Sequence, residues 1–408
     1  MDFSLPPDAV AFAATVRRWL AEHPPERFPI DGMDAGYGSG AHSHAFLRAL
    51  AAEGWISMAW PREYGGQERP LVEKLVLLEE LAAAGAPFGP LAGCDQTADA
   101  IIRYGTERLR QELLPRIARG EATFWQGFSE PGAGSDLLAL TTEARRDGDE
   151  YIVRGHKIWS SHAGISTHGL VLARTGRDPR RSHGLSMFVI DNRTPGMEIR
   201  PIRNMTGGIY HYEVFLDEVR VPRDMLLGRE HEGFVELLKG LDTDRFWGRF
   251  YKAPALKRVL AELVTYANTT SRDGVLLARD QGLRRTLAAL ATELEALRLL
   301  FYRIGWMLEQ GLPTPYESAL AKVLADETGQ KVAAFGLELL GPFGALRQDS
   351  PWARLGGRLQ HIYQTSLSHT IAGGTSEVLR TTVATRGLGL PRDAGGRSAL
   401  PRDAEARS

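Results

Sequence analysis

Between residues 123 and 222 the hydrophobic period of this chain switches from helical to alternating, and after Gly228 it switches back. Apolar residues spaced for one helix face cannot also line one strand face, so the chain must be a block of short strands set between two blocks of helices. In the middle block, residues 141–145, the turn Asp147-Gly148-Asp149 and residues 151–153 carry a hairpin signature. Residues 170–173, 185–190, 197–202 and 213–216 are further short strands, parted by turn residues such as those at 192–196. Many short strands without intervening helices imply an antiparallel barrel or sandwich of roughly a hundred residues.

In the first block, Ala9, Phe12, Val16, Trp19 and Leu20 recur at helical spacing, as do Leu47, Leu50, Ala51 and Trp55. Residues 72–84 and 109–117 repeat the pattern. The string AWPREYGGQ at 59–67 interrupts it, with Pro61 and Gly65-Gly66 fixing a turn. That loop is either a helix connector or one wall of a ligand site. In the last block, residues 234–267, 283–310, 315–341 and 359–372 are long helical runs, as in an antiparallel bundle, and Pro254 inside the first should kink it. The fold class is therefore α+β and multidomain. An N-terminal α-helical domain spans 1–122, a β-domain 123–229 and a C-terminal helical bundle 230–390. The Arg/Asp-rich repeat at 391–408 has little to bury and is expected to be a disordered or loosely attached tail.

Composition removes several functions. Lys plus Arg number 49 against 50 Asp plus Glu, a net charge of −1, without the basic excess that a nucleic-acid or anionic-membrane partner demands. No window approaches the ~20 apolar residues of a membrane span. The one cysteine, Cys94, excludes an internal disulfide and a Cys-rich metal site, and points to the cytoplasm. His156, His162 and His211 lack metal-ligand spacing and read as polar loop or β-domain residues.

Two stretches carry candidate chemistry. In residues 127–161, GFSEPGAGSD is too irregular for a helix or strand interior, and its small residues let backbone N–H groups approach a ligand. Ser129, Ser135 and Asp136 add hydrogen-bonding groups, and Trp159 in GHKIWSS adds a flat ring flanked by hydroxyls. A planar, polar-edged cofactor would suit this pair, although a tight turn followed by a core Trp fits equally. In residues 369–380, Thr375 followed by Ser376 and Glu377 reads as an N-cap and first turn, whose free amides suit a pyrophosphate.

WPREYGG, GFSEPGAGSD, GHKIWSS, EVFLDEVRVPRDMLLG and IAGGTSEVLRTTVATRGLGLP, in this order over residues 3–392, together resemble the acyl-CoA dehydrogenases. The resemblance implies the same α, β, α order, with FAD bound between the β-domain and the C-terminal helices. It implies flavin contacts from Phe128, Ser129, Trp159 and Ser161, with Thr375 and Glu377 at the second stretch. Arg272 and Gly341 are further expected cofactor contacts, although SRDGVLLARDQ and LGPFG both depart from the family strings. Ser135 matches a position facing the thioester or pantetheine arm, and Arg245 one near the substrate mouth.

Many members carry the catalytic Glu just before the Gly-Thr pair, where this chain has Gly373. A branch of the family instead carries its base on the first long C-terminal helix, just before an Arg. GLDTDR at 240–245 matches it and makes Asp244 the expected base. Helical spacing alone sets Leu237, Leu241, Asp244, Gly248, Tyr251 and Ala255 on one face, where an unpaired carboxylate is costly and its pKa rises. An ion pair with Arg245 or Arg249 is the plainer reading of the same residue.

The implied reaction is FAD-dependent α,β-dehydrogenation of an acyl-CoA, in fatty acid or lipid metabolism. A carrier-protein thioester is the alternative substrate. The implied partners are an electron-transfer flavoprotein and further copies of the chain in a homodimer or homotetramer, with a hetero-oligomer also open. Gly373 leaves room for a flavin oxidase, a monooxygenase or a non-catalytic partner subunit on the same fold.

Overall fold

The helical period of the first block becomes five helices, α1 (Pro7–Glu22), α2 (His44–Ala52), α3 (Leu71–Ala84), α4 (Gly89–Tyr104) and α5 (Glu107–Ala118). The structure is a computed structural model and describes residues 4–31, 41–180, 182–234 and 246–391. The periodic residues of α1 turn inward, and Trp19 packs edge-on against Phe46 and Trp55. Ser43 and Thr106 cap α2 and α5 by accepting hydrogen bonds from Phe46 N and Leu109 N. The 59–67 loop closes as a turn of 3-10 helix, Arg62–Tyr64, with Gly65 at φ 79°. Gly66 lies so close to the Trp60 carbonyl that no side chain fits there.

The middle block is one eight-stranded sheet, β1 (Phe124–Gly127), β2 (Glu143–Asp147), β3 (Glu150–Ser161), β4 (His168–Arg174), β5 (Leu185–Asp191), β6 (Met197–Arg203), β7 (Ile209–Pro222) and β8 (Leu226–Leu227). The expected hairpin forms, with Asp147 opposite Glu150. The order is β6-β7-β3-β2-β4-β5-β8, with β1 beside β4. The expected antiparallel β-domain forms, with most strand pairs antiparallel. Among the described residues the path does not close, and β4 runs parallel to both β1 and β2. A strand entering from a helix and a loop, as β1 does, is not obliged to reverse against its neighbour as a hairpin strand is.

The last block holds α6 (Lys252–Thr269), α7 (Gln281–Glu309), α8 (Glu317–Leu340), α9 (Arg358–His369) and α10 (Ser376–Thr382). Pro254 does not kink a helix interior. It stands in the first turn of α6, where its missing N–H has no intrahelical acceptor to lose. The turn at residues 248–251 also interrupts the continuous helical face expected through 234–267. The two helical blocks share one core, in which Phe246, Phe250, Leu297 and Phe301 join the N-terminal cluster. The strands keep a second cluster around Trp125, Tyr151 and Phe188. Asp244, Arg245 and the tail from residue 392 lie outside the described residues.

Candidate active site

The loop at 128–142 and the end of β3 are folded onto one another. Ile158 N donates to the Ser129 carbonyl at 3.0 Å, which sets Phe128 and Ser129 beside the strand bearing Trp159 and Ser161. Between Lys157 and Ser160 the β3–β7 register shifts, and Trp159 takes a φ of 61°. Such a bulge re-aims a side chain that would otherwise alternate with its neighbours. Trp159 is 57% exposed and its ring meets His211 edge-on at 5.9 Å, so it is not a core residue. Ser161 stands opposite His211 in the ladder. Ser135 is exposed in the loop.

A buried ion pair, which motif reading missed, holds the two halves together. Lys157 Nζ donates to Glu130 Oε1 at 2.8 Å and to the Phe128 carbonyl at 3.2 Å, and its side chain has no exposed surface. Glu130 also accepts from the Thr141 amide and hydroxyl, both at 2.7 Å, and from Thr142 N at 2.9 Å. Burial alone would raise the Glu130 carboxyl, but the Lys157 charge and the bonds from Lys157, Thr142 and Thr141 hold it at about 2. Burial pulls Lys157 down to about 8 against the opposing pull of Glu130. The only sequence signal was a Glu and a Lys inside otherwise small or alternating segments, a pattern that names no partner.

His162, expected as a polar loop or β-domain residue, lies in the turn directly after β3 and is buried. It stacks on His42 with ring centroids 3.3 Å apart. Burial, then the neighbouring histidines, keeps His162 well below the ordinary imidazole range. Among the described residues no group of three or more His, Cys, Asp or Glu is arranged to hold a metal ion.

The second stretch also forms. Thr375 caps α10, its hydroxyl accepting from Val378 N at 3.3 Å, and Glu377 is exposed in the first turn. A backbone hydrogen bond at Glu377 and the Thr375 hydroxyl lower the Glu377 carboxyl. Gly373 and Gly374 precede the cap with φ of 70° and 97°. Lys322, buried in α8, donates to the carbonyls of His369 at 2.9 Å and Gly374 at 2.7 Å, which fixes the turn between α9 and α10. Arg272 and Gly341, distant in sequence, meet. Arg272 Nη2 donates to the Leu339 carbonyl at 3.3 Å and lies 3.7 Å from where a Cβ on Gly341 would stand.

These residues suit FAD. Hydroxyls and amides at Ser129, Ser161 and Thr375 match its polar edges, and Trp159 offers a flat wall. Next to the cap, the buried Ser376 Oγ has no hydrogen-bond partner among the described residues, the kind of orphan a bound polar group satisfies.

Three family models match the chain in order: the acyl-CoA dehydrogenase N-terminal domain over residues 6–121, its middle domain over 126–219 and its C-terminal domain over 231–388. The chain is 32% identical over 380 residues to acyl-CoA dehydrogenase FadE26 of Mycobacterium tuberculosis, covering 90% of this chain and 93% of that protein. Among solved structures it resembles the Tcur3481-Tcur3483 steroid ACAD, with 31% identity and a TM-score of 0.84 over 96% of this chain and 100% of that one. It also resembles the ChsE4-ChsE5 complex from Mycobacterium tuberculosis, with 30% identity and a TM-score of 0.83 over 96% of this chain and 100% of that one.

Proposed function

Because the chain belongs to the acyl-CoA dehydrogenase family, we propose that Asp244 takes the α-proton of a bulky acyl-CoA in an FAD-dependent α,β-dehydrogenation. Use of FAD and acyl-CoA dehydrogenation follow from membership. The base and the kind of acyl group are our reading. The observation that supports a flavin site is the juxtaposition of the two motif halves through Ser129 and Ile158, at 3.0 Å, while Asp244 rests on the GLDTDR string together with glycine at 373.

FAD, when bound, accepts the β-hydride. The chain's own residues do the rest. Phe128 and Ser129 meet the polar edge of the ring system, Trp159 lies against its face and Ser161 hydrogen-bonds beside it. Thr375 and Glu377, with Arg272 and Gly341, hold the nucleotide end. Ser135 faces the thioester arm, and Arg245 stands near the substrate mouth. With glycine at 373, the proton has no acceptor there. Asp244 is the matching carboxylate, and a base for an acidified C–H works best with a raised pKa. A bulky acyl group is supported by the likeness to a protein described as a steroid ACAD. The likeness to a two-chain complex supports an oligomer, either of identical chains or with a second related chain. An electron-transfer flavoprotein is the expected acceptor, and the balanced charge and one cysteine suit the cytoplasm.

Anaerobic mixing with CoA thioesters, from short branched to steroid-sized, tests this directly. At least one bulky thioester should bleach the flavin, and the reduced enzyme should reoxidise quickly with an electron-transfer flavoprotein and slowly in air. Rapid reoxidation by oxygen would replace the dehydrogenase reading with an oxidase.

A further inference from the structure

Under the Gly373-Gly374 turn lies a buried charged cluster that the reaction just described does not use. Asp326, on α8 and fully buried, meets three cations. Lys252 Nζ hydrogen-bonds to Oδ1, Arg249 Nε lies 3.2 Å from the same oxygen, and Lys322 Nζ lies 3.0 Å from Oδ2. Arg249 comes from the turn before α6, Lys252 from its first residue, and Lys322 from one turn before Asp326. The imidazole of His369, at the end of α9, faces the same four groups. Burial raises the Asp326 carboxyl, but the charges of Arg249, Lys252 and Lys322 outweigh it and hold it well below the usual carboxylate range. Burial draws Lys252 down to about 7, with Asp326 opposing. Burial and the neighbouring cations keep His369 well below the ordinary imidazole range.

Arg249 reaches out of this cluster. Its side chain is 17% exposed, and its Nη1 donates to the Gly248 carbonyl at 3.0 Å. Its Nη2 donates to the Ala372 carbonyl at 3.5 Å and lies 3.6 Å from where a Cβ on Gly373 would stand. A glutamate at 373 would carry its carboxylate about that far from its own Cβ. A guanidinium therefore stands within a side chain's reach of the position at which many relatives hold a base, and the charge nearest that position is positive. The φ of 70° at Gly373 further disfavours any side chain there.

We propose that Arg249, oriented by Asp326, stabilises the negative charge that builds on the thioester as the α-proton leaves. This rests on the dehydrogenase reading above. The α C–H bond breaks, its proton goes to the base, and its electron pair spreads onto the thioester oxygen. A cation fixed in advance beside that charge needs no reorganisation, and in a desolvated corner it acts more strongly than in water. The cluster supplies the fixing, since Asp326 holds the Nε edge of the guanidinium while two backbone carbonyls hold its far edge.

The test uses the flavin-loaded enzyme and a 3-oxoacyl-CoA, whose acidic α-proton can leave without oxidation. Its enolate beside oxidised flavin gives a long-wavelength charge-transfer band, and the pH midpoint of that band reads the stabilisation without turnover. In Arg249→Gln the midpoint should rise by about one to two pH units, a ten- to hundred-fold weaker hold on the enolate. Affinity for the neutral thioester should change little, and Arg249→Lys should fall between the two. Flavin content and the unfolding midpoint report whether each variant is intact, and if Gln unfolds the chain, the Lys variant still carries the shift. An unchanged midpoint in an intact, flavin-loaded Gln or Lys variant overturns the proposal. Absence of any band in the parent enzyme, together with no bleaching by any thioester, would instead remove the dehydrogenase reading.

Discussion

Lys157 Nζ stands 2.8 Å from Glu130 Oε1 and 3.2 Å from the Phe128 carbonyl, so one buried ammonium ties the 128–142 loop to the strand that bears Trp159. Removing one partner of such a pair leaves the other charge buried and alone, which costs about 3–5 kcal/mol. Lys157→Met should lower stability by that order in denaturant unfolding and release flavin, read as a lower ratio of visible to protein absorbance. The double variant Lys157→Met/Glu130→Gln should recover part of the stability, because no lone charge remains.

The same carboxylate sets an acid limit. The folded-state pKa of Glu130 is about 2, below its ordinary 4.5, so its stabilising contribution is complete above pH 4.5 and is lost as pH falls toward 2. Stability measured by denaturant titration should decline across that window. Glu130→Gln, less stable at neutral pH, should show a shallower decline. Asp191, held at about 2 chiefly by its hydrogen bond from Arg193, titrates in the same range. It is partly solvated and should contribute less.

Thr375 caps α10 and is one of the proposed cofactor contacts. Its hydroxyl satisfies Val378 N, and losing an N-cap costs about 1 kcal/mol. In Thr375→Ala the short helix α10 should fray and flavin should bind more weakly in equilibrium dialysis, whereas Thr375→Ser should keep both. Equal flavin affinity in the Ala variant would separate the cap from the cofactor.

The order of helices and strands was legible because apolar spacing is a local signal. Trp19, Leu47 and Leu50 are buried as their period requires. The β1–β4 pairing was not legible, because a parallel partner separated by some forty residues leaves no periodic trace. Pro254 was misplaced for a related reason. Its effect depends on where the helix begins, and the turn at 248–251 before it is marked only by a lone glycine, Gly248, which a helical pattern also tolerates. In the candidate site Trp159 suited a ligand wall and a core residue equally, whereas the N-cap at Thr375 could be read from the sequence. The groups that hold them, Glu130, Lys157, Lys322 and Asp326, could not, since each is one charge in a segment whose partner lies elsewhere in the chain.

Asp244→Ala gives the most direct test of the reaction assigned to this chain. The variant should stay yellow, because Asp244 is not one of the proposed flavin contacts. In anaerobic single turnover with a thioester that bleaches the parent enzyme, its flavin should be reduced about 10²–10⁴-fold more slowly, the usual cost of losing a positioned base. Flavin reduction at the parent rate would show that Asp244 does not take the α-proton.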